Sequence, residues 1–192
     1  MIAVLDWTSG FCWSLVYLIA TFIGIRQRTY CIPSICICLN FSWEIWIVLV
    51  RIFSFLPMDI GFIIQILWAV LDIGVVYTWF RFSTMVLRKK VHMFVAVVLI
   101  MAIVTVFARL WSIVAFGINL FMSIAFVVQL DKQVHPSFVI ALLKCIGTLA
   151  ATVLNGIIMR DYVILLLGML SLIMDLYYII DLRLTRKSVI KV

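Results

Sequence analysis

The chain has 192 residues, of which 67% are hydrophobic and 12% charged, and its mean hydropathy is +1.31. A soluble globular domain carries about a quarter charged residues, so this composition excludes that class and describes an integral membrane protein. The net charge of +7 follows from topology and contact with anionic lipid headgroups, and it is not read as a nucleic-acid footprint.

Seven apolar runs are long enough to cross about 30 Å of hydrocarbon as helices. The first, 7–25, has no basic segment ahead of it and no convincing small-residue cleavage site, which predicts a retained span rather than a removed signal peptide. The second, 31–50, sets Asn40 and Glu44 four apart on one helical face, flanked by Trp43 and Trp46. On the third, 60–80, Gln65, Trp68, Asp72 and Trp79 share a stripe. The fourth covers 91–108, and the fifth, 111–130, aligns Ser112, Asn119 and Ser123 with Phe116 and Phe126. The sixth, 136–159, gives Lys144, Thr148, Thr152 and Asn155, and the seventh, 162–182, gives Gly168, Ser171, Asp175 and Tyr178. Lipid cannot satisfy such groups, so the five polar stripes are expected to converge on a common interior.

Basic residues set the orientation, because cytoplasmic loops collect Lys and Arg. With the N-terminus outside, eleven lie on the cytoplasmic side: Arg26, Arg28, Arg81, Arg88, Lys89, Lys90, Lys132, Arg183, Arg186, Lys187 and Lys191. Three, Arg51, Arg109 and Arg160, lie opposite. The expected fold is therefore a single all-α domain, a seven-transmembrane-helix bundle with its N-terminus outside or lumenal and its C-terminus cytoplasmic.

Three acids sit at bilayer depth, namely Glu44, Asp72 and Asp175. A carboxyl there costs at least about 2.5 kcal/mol, which makes each a functional-site hypothesis. Asn, Ser and Thr in membrane helices are more often interhelical glue than catalysts, at about 0.6 to 2 kcal/mol per bond, and Ser112, Ser123, Thr148 and Thr152 are read that way. Lys144, inside its span, either snorkels to the interface or pairs with an acid of similar depth, for which Asp175 is the first choice. The cysteines Cys12, Cys31, Cys36, Cys38 and Cys145 offer neither a disulfide framework nor a metal spacing, and His92 and His135 have no partner ligands. No metal or cofactor is expected. Segments 71–81 and 174–183 both place an acid about two turns ahead of a cytoplasmic Arg, a short sign of a parallel repeat of three helices joined by the fourth span.

The stretch Arg28-Thr-Tyr-Cys-Ile-Pro-Ser-Ile-Cys-Ile-Cys-Leu-Asn-Phe-Ser-Trp-Glu44 resembles the second-span signature of the small membrane-integral terpene cyclases, the seven-span enzymes of fungal meroterpenoid and indole-diterpene pathways (the paxilline type) and their bacterial relatives. Residues 68–77, with Trp68, Asp72 and Tyr77, are similar to that family's third span, and Asp175, Tyr177 and Tyr178 to its seventh. The resemblance implies essential acids at Glu44 and Asp175, whereas at Asp72 the family tolerates other polar residues. It implies a prenylated small-molecule substrate partitioned into membrane lipid. The membrane would be endoplasmic reticulum in a fungus and plasma membrane in a bacterium.

The residues suit that chemistry independently. Cyclising a prenyl chain by protonation needs a carboxylic acid kept from water, π faces for the cation and a final base. Glu44 and Asp175 are the expected acid/base pair, with Asp72 as third candidate and Asn40 holding Glu44 in register. Which carboxyl donates is left open. Trp43, Trp68, Tyr77, Trp111, Asn119, Asn155 and Tyr178 complete the expected substrate-binding set. The depths of Glu44 and Asp175 call for a tall cavity or a shifted seventh span rather than a compact dyad. A small seven-span transporter or receptor of the three-plus-one-plus-three architecture is the alternative, in which a buried acid binds a cation, an amine or a proton.

Overall fold

The structure, a computed structural model, describes residues 2–55, 59–107 and 111–189, with side chains in the last helix described as far as 184. Arg109 and Lys191 of the basic-residue count lie outside the described residues, as do the side chains of Arg186 and Lys187. The helices are α1 Ile2–Gln27, α2 Ser34–Phe53, α3 Ile60–Phe82, α4 Leu87–Phe107, α5 Trp111–Val127, α6 Phe138–Thr152 and α7 Tyr162–Val189. Among the described residues, six helical segments are long and apolar enough to cross a membrane; α5, at 17 residues, is shorter. A π-helical turn, Val153–Ile158, continues α6 to the end of its span. Each helix falls on one of the seven apolar runs, and α1, α2, α3, α4 and α7 reach beyond theirs at one end or both.

Packing reveals an internal two-fold logic. The third helix of each triplet packs against the other two: α3 against α1 and α2, and α7 against α5 and α6. The triplets meet through α1 on α6 and α2 on α5, while α4 packs on α2. Exchanging α1 with α5, α2 with α6 and α3 with α7 maps the contacts among these six helices onto one another, as a parallel repeat requires, whereas α4 sides with α2 and breaks the symmetry.

The connections repeat as well. Arg28 after α1 and Gln129 after α5 both take positive φ, 54° and 48°. The following amide closes the turn in each case, Thr29 onto the Gly24 carbonyl and Leu130 onto the Ala125 carbonyl, both at 3.0 Å. A Pro-Ser pair then marks the entry to the next helix: Pro33 precedes α2, which begins at Ser34, and Pro136-Ser137 precedes α6. These two equivalent loops touch through the bridge between Tyr30 and Val134, where the His135 amide donates to the Tyr30 carbonyl at 2.8 Å.

Asp131 locks that junction. Its carboxylate accepts from the Tyr30 hydroxyl at 2.9 Å, from the Ser34 hydroxyl and from the Ser34 amide at 3.3 Å, so it also caps the start of α2. Partial burial pushes the Asp131 pKa up, but the bonds from Ser34, Tyr30 and the Gln133 amide outweigh it and hold the carboxyl below the ordinary range. Lys90, one of the eleven basic residues assigned to the cytoplasmic side, is buried and donates to the Phe80 and Ser83 carbonyls at 2.8 Å, closing the end of α3.

Small residues set the tightest approaches. A Cβ on Gly168 would stand 2.2 Å from the Thr152 hydroxyl, and one on Gly156 would stand 2.8 Å from the Leu165 Cα. Glycine at these positions lets α7 run close against α6 and its π turn. The exterior is apolar, as lipid demands, with Leu67, Val70 and Ile73 of α3 and Leu99 and Ile103 of α4 all exposed.

Candidate active site

Asn40 and Glu44, one turn apart on α2, face Tyr17 of α1 and Asp72 of α3. The Asn40 amide nitrogen lies 2.8 Å from Asp72 Oδ2, 2.8 Å from the Tyr17 hydroxyl oxygen and 3.1 Å from Glu44 Oε1. Tyr17 in turn donates to Glu44 Oε1 at 2.7 Å. Tyr17, Glu44 and Asp72 are buried, with 2%, 3% and 1% exposure. Every donor that reaches Glu44 converges on one oxygen. The other, Oε2, is buried without a hydrogen-bond partner. The two carboxyls therefore share one neutral amide, Glu44 accepts from a phenol as well, and no hydrogen bond from a cation to either is seen among the described residues.

The second triplet answers with a different arrangement. Lys144 of α6 donates to both oxygens of Asp175 on α7, at 2.7 and 2.9 Å, and to the Ser123 hydroxyl of α5 at 2.6 Å. All three are buried. Lys144 thus pairs with Asp175 and does not snorkel. A hydroxyl from the first helix, a nitrogen donor from the second and an aspartate from the third recur in both triplets: Tyr17, Asn40 and Asp72, then Ser123, Lys144 and Asp175. The members of each matched pair are separated by nearly the same stretch of chain.

A cavity of about 220 Å³ reaches the first cluster. Tyr17, Asn40 and Glu44 lie on its wall with Trp13, Trp43, Trp68 and Phe116, and Asn119, Met122, Thr148 and Asn155 line the side formed by α5 and α6. The Asn119 amide donates to the Thr148 hydroxyl at 3.1 Å, and its oxygen has no partner. The π turn brings Leu154 and Asn155 to the cavity, and Asp6 and Ser9 reach it from the start of α1.

Of the residues expected from sequence, Glu44, Asn40, Trp43, Trp68, Asn119 and Asn155 come together on this wall. Asp72 lies behind Asn40, joined to it. The others go elsewhere. Tyr77 is 53% exposed on the outer face of α3, and Trp111 donates its indole N–H to the Thr105 carbonyl at 3.1 Å. Tyr178 stacks near Phe126, ring centroids 5.2 Å apart, beside a separate cavity that includes Asp131. Asp175 is held by Lys144, so the compact carboxyl pair is Glu44 with Asp72, and not Glu44 with Asp175. Tyr17, Trp13 and Asp6 are not among the residues expected from sequence, although Ser9, Trp13 and Tyr17 recur at intervals of four along the first span. No group of three metal-ligating side chains occurs among the described residues.

The family model for Pyr4-like transmembrane terpene cyclases matches residues 1–160. The chain belongs to that family. The matched stretch contains Tyr17, Asn40, Glu44, Asp72 and Lys144 and ends before α7, the helix of Asp175. A Pyr4-family terpene cyclase, mfmH of Annulohypoxylon moriforme, is 31% identical over 81 residues, which is 39% of this chain and 29% of the relative. The alignment with that curated relative thus spans less than a third of its length. No solved structure matches the chain.

Proposed function

We propose that this Pyr4-like protein is a protonation-initiated terpene cyclase acting on a linear prenylated small molecule dissolved in the membrane, and that Glu44 is the proton donor. The observation that carries this reading is the Glu44 carboxyl itself: all its internal hydrogen bonds fall on Oε1, which leaves Oε2 unpartnered on a side chain that lines an aromatic-walled cavity. A neutral carboxylic acid places its proton there. Membership of the Pyr4-like family supports the cyclase reading over the transporter alternative.

The reaction runs as follows. Glu44 transfers a proton to a terminal epoxide oxygen or alkene carbon of the prenyl chain; in the epoxide case the C–O bond breaks as the tertiary cation forms. The π electrons of the next alkene make the new C–C bond, and the charge moves along the chain. Trp13, Trp43 and Trp68 offer their faces to it, each interaction being worth about 2 kcal/mol or more in a dry site. A proton then leaves a carbon next to the final cation and returns to the Glu44–Asp72 pair, which Asn40 joins. Substrate and product have the same mass and the enzyme is restored, so the net reaction is an isomerisation.

The test uses membranes containing the protein and a panel of farnesyl- and geranylgeranyl-substituted phenols, indoles and dipeptides, each with and without a terminal epoxide. Appearance of an isomer of unchanged mass, absent with Glu44→Gln, is the expected outcome. Flux of a polar solute across liposomes with no isomer formed from any panel member would overturn the reading.

A further inference from the structure

Asp175 is buried, charged and conspicuous, yet it lies on none of the cavity's walls. Its partner lies close behind one. Lys144 Nζ is 5.9 Å from the ring centroid of Trp13, which lines the cavity and stands 6.0 Å from the Tyr17 ring. Thr148, one turn beyond Lys144, and Met122, the neighbour of Ser123, are on the cavity wall too. The contact with α6 is close, since a Cβ on Gly147 would meet the Trp13 ring at 3.0 Å. An ammonium therefore sits directly behind the aromatic wall of a cavity in which, on the cyclase reading above, positive charge develops. Both Asp175 oxygens bind it.

We propose that Asp175 is a positioning residue that acts through Lys144: it cancels the lysine's charge so that the Trp13 side of the cavity tolerates a carbocation, and it neither gives nor takes the substrate's proton. A bare charge of like sign at this distance repels a cation through a poorly screened medium. Removing Asp175 alone exposes that charge. Removing Asp175 and Lys144 together leaves the wall neutral.

The predicted pattern is asymmetric. Asp175→Asn lowers kcat by about 30-fold or more, which is ~2 kcal/mol on the barrier. Lys144→Met stays within about threefold of the parent, and the Lys144→Met/Asp175→Asn double variant returns to that level. Binding separates charge from damage. A farnesyl chain carrying a trialkylammonium in place of the cationic carbon, compared with its neutral carbon isostere by tryptophan fluorescence, should bind about tenfold more weakly to Asp175→Asn. The neutral isostere should bind all variants alike.

A double variant that remains inert and still binds the ammonium weakly would overturn the proposal, as would equal weakening of both analogues in Asp175→Asn. If Asp175→Asn fails to accumulate in membranes, the double variant decides alone, because a direct proton-transfer role leaves it inactive. Failure of the parent to turn over any panel member would sink the cyclase reading, while the paired binding measurement would still judge how Asp175 acts.

Discussion

The two triplets hold related constellations that differ in the hydroxyl, Tyr17 against Ser123, in the central nitrogen donor, and one turn further on, where Glu44 stands in the first and Thr148 in the second. In α1–α3 the central donor is the amide of Asn40, whereas in α5–α7 it is the ammonium of Lys144. The consequence is electrostatic. A buried ion pair with all its bonds made has no proton to spare, and breaking it leaves an uncompensated charge at a cost of about 3 to 5 kcal/mol. Two carboxyls with only neutral partners, 2.8 and 3.1 Å from one shared amide nitrogen, repel each other as a pair of charges, which favours keeping a proton on one of them. On the proposed reading the first triplet supplies an acid and the second a strut, a contrast set by Asn40 against Lys144 and by Glu44 against Thr148.

The sharpest way to break this contrast is to remove the acid. Glu44→Gln keeps the acceptor for Tyr17 and the packing, and it should cut turnover by about 10³-fold, near 4 kcal/mol, with the protein still folded. Measured isomerisation per mole of folded protein checks it. Making the first triplet resemble the second comes next. Asn40→Lys supplies a cation to Glu44 and Asp72, and turnover is expected to fall at least about 100-fold; thermal stability in detergent should not fall with it, and a loss of folding instead would count against the matched-triplet account.

Smaller effects probe the supports. Tyr17→Phe deletes one bond to Glu44 and should cost about tenfold in kcat, while Tyr77→Phe, on the lipid-facing side of α3, should change nothing measurable. Asp131→Ala should leave the chemistry alone and destabilise the fold by about 1 to 2 kcal/mol, because it removes the cap of α2 and the lock between the equivalent loops. The Asp131 carboxyl is held below its ordinary range. Its stabilising contribution is therefore complete above about pH 4, the unfolded value, and is lost as the pH falls through the lower folded one. Denaturation midpoints of parent and variant should converge in acid.

Much of this was legible in the chain. Seven apolar runs gave seven helices, the spacing of Asn40 and Glu44 put them on one face, and the paired acids Asp72 and Asp175 foretold equivalent positions in a repeat. What periodicity cannot supply is the partner across a helix interface. Both aspartates look alike in sequence, and only packing tells that one meets an amide and the other an ammonium. Aromatics were the least legible: Trp43 and Trp68 reach the cavity whereas Tyr77 turns to lipid, because in a span that is apolar all round no amphipathic face marks the inside. The π turn at Val153–Ile158 was missed for a related reason, since its Asn-Gly pair breaks the helical register without breaking the run of apolar residues.

Infrared spectroscopy of the purified protein tests the central claim most directly, since a protonated carboxyl absorbs apart from an ionised one. The account predicts a protonated-carboxyl band at neutral pH that disappears in Glu44→Gln and persists in the Lys144→Met/Asp175→Asn double variant. A band that survives Glu44→Gln and vanishes with Asp175 would contradict it.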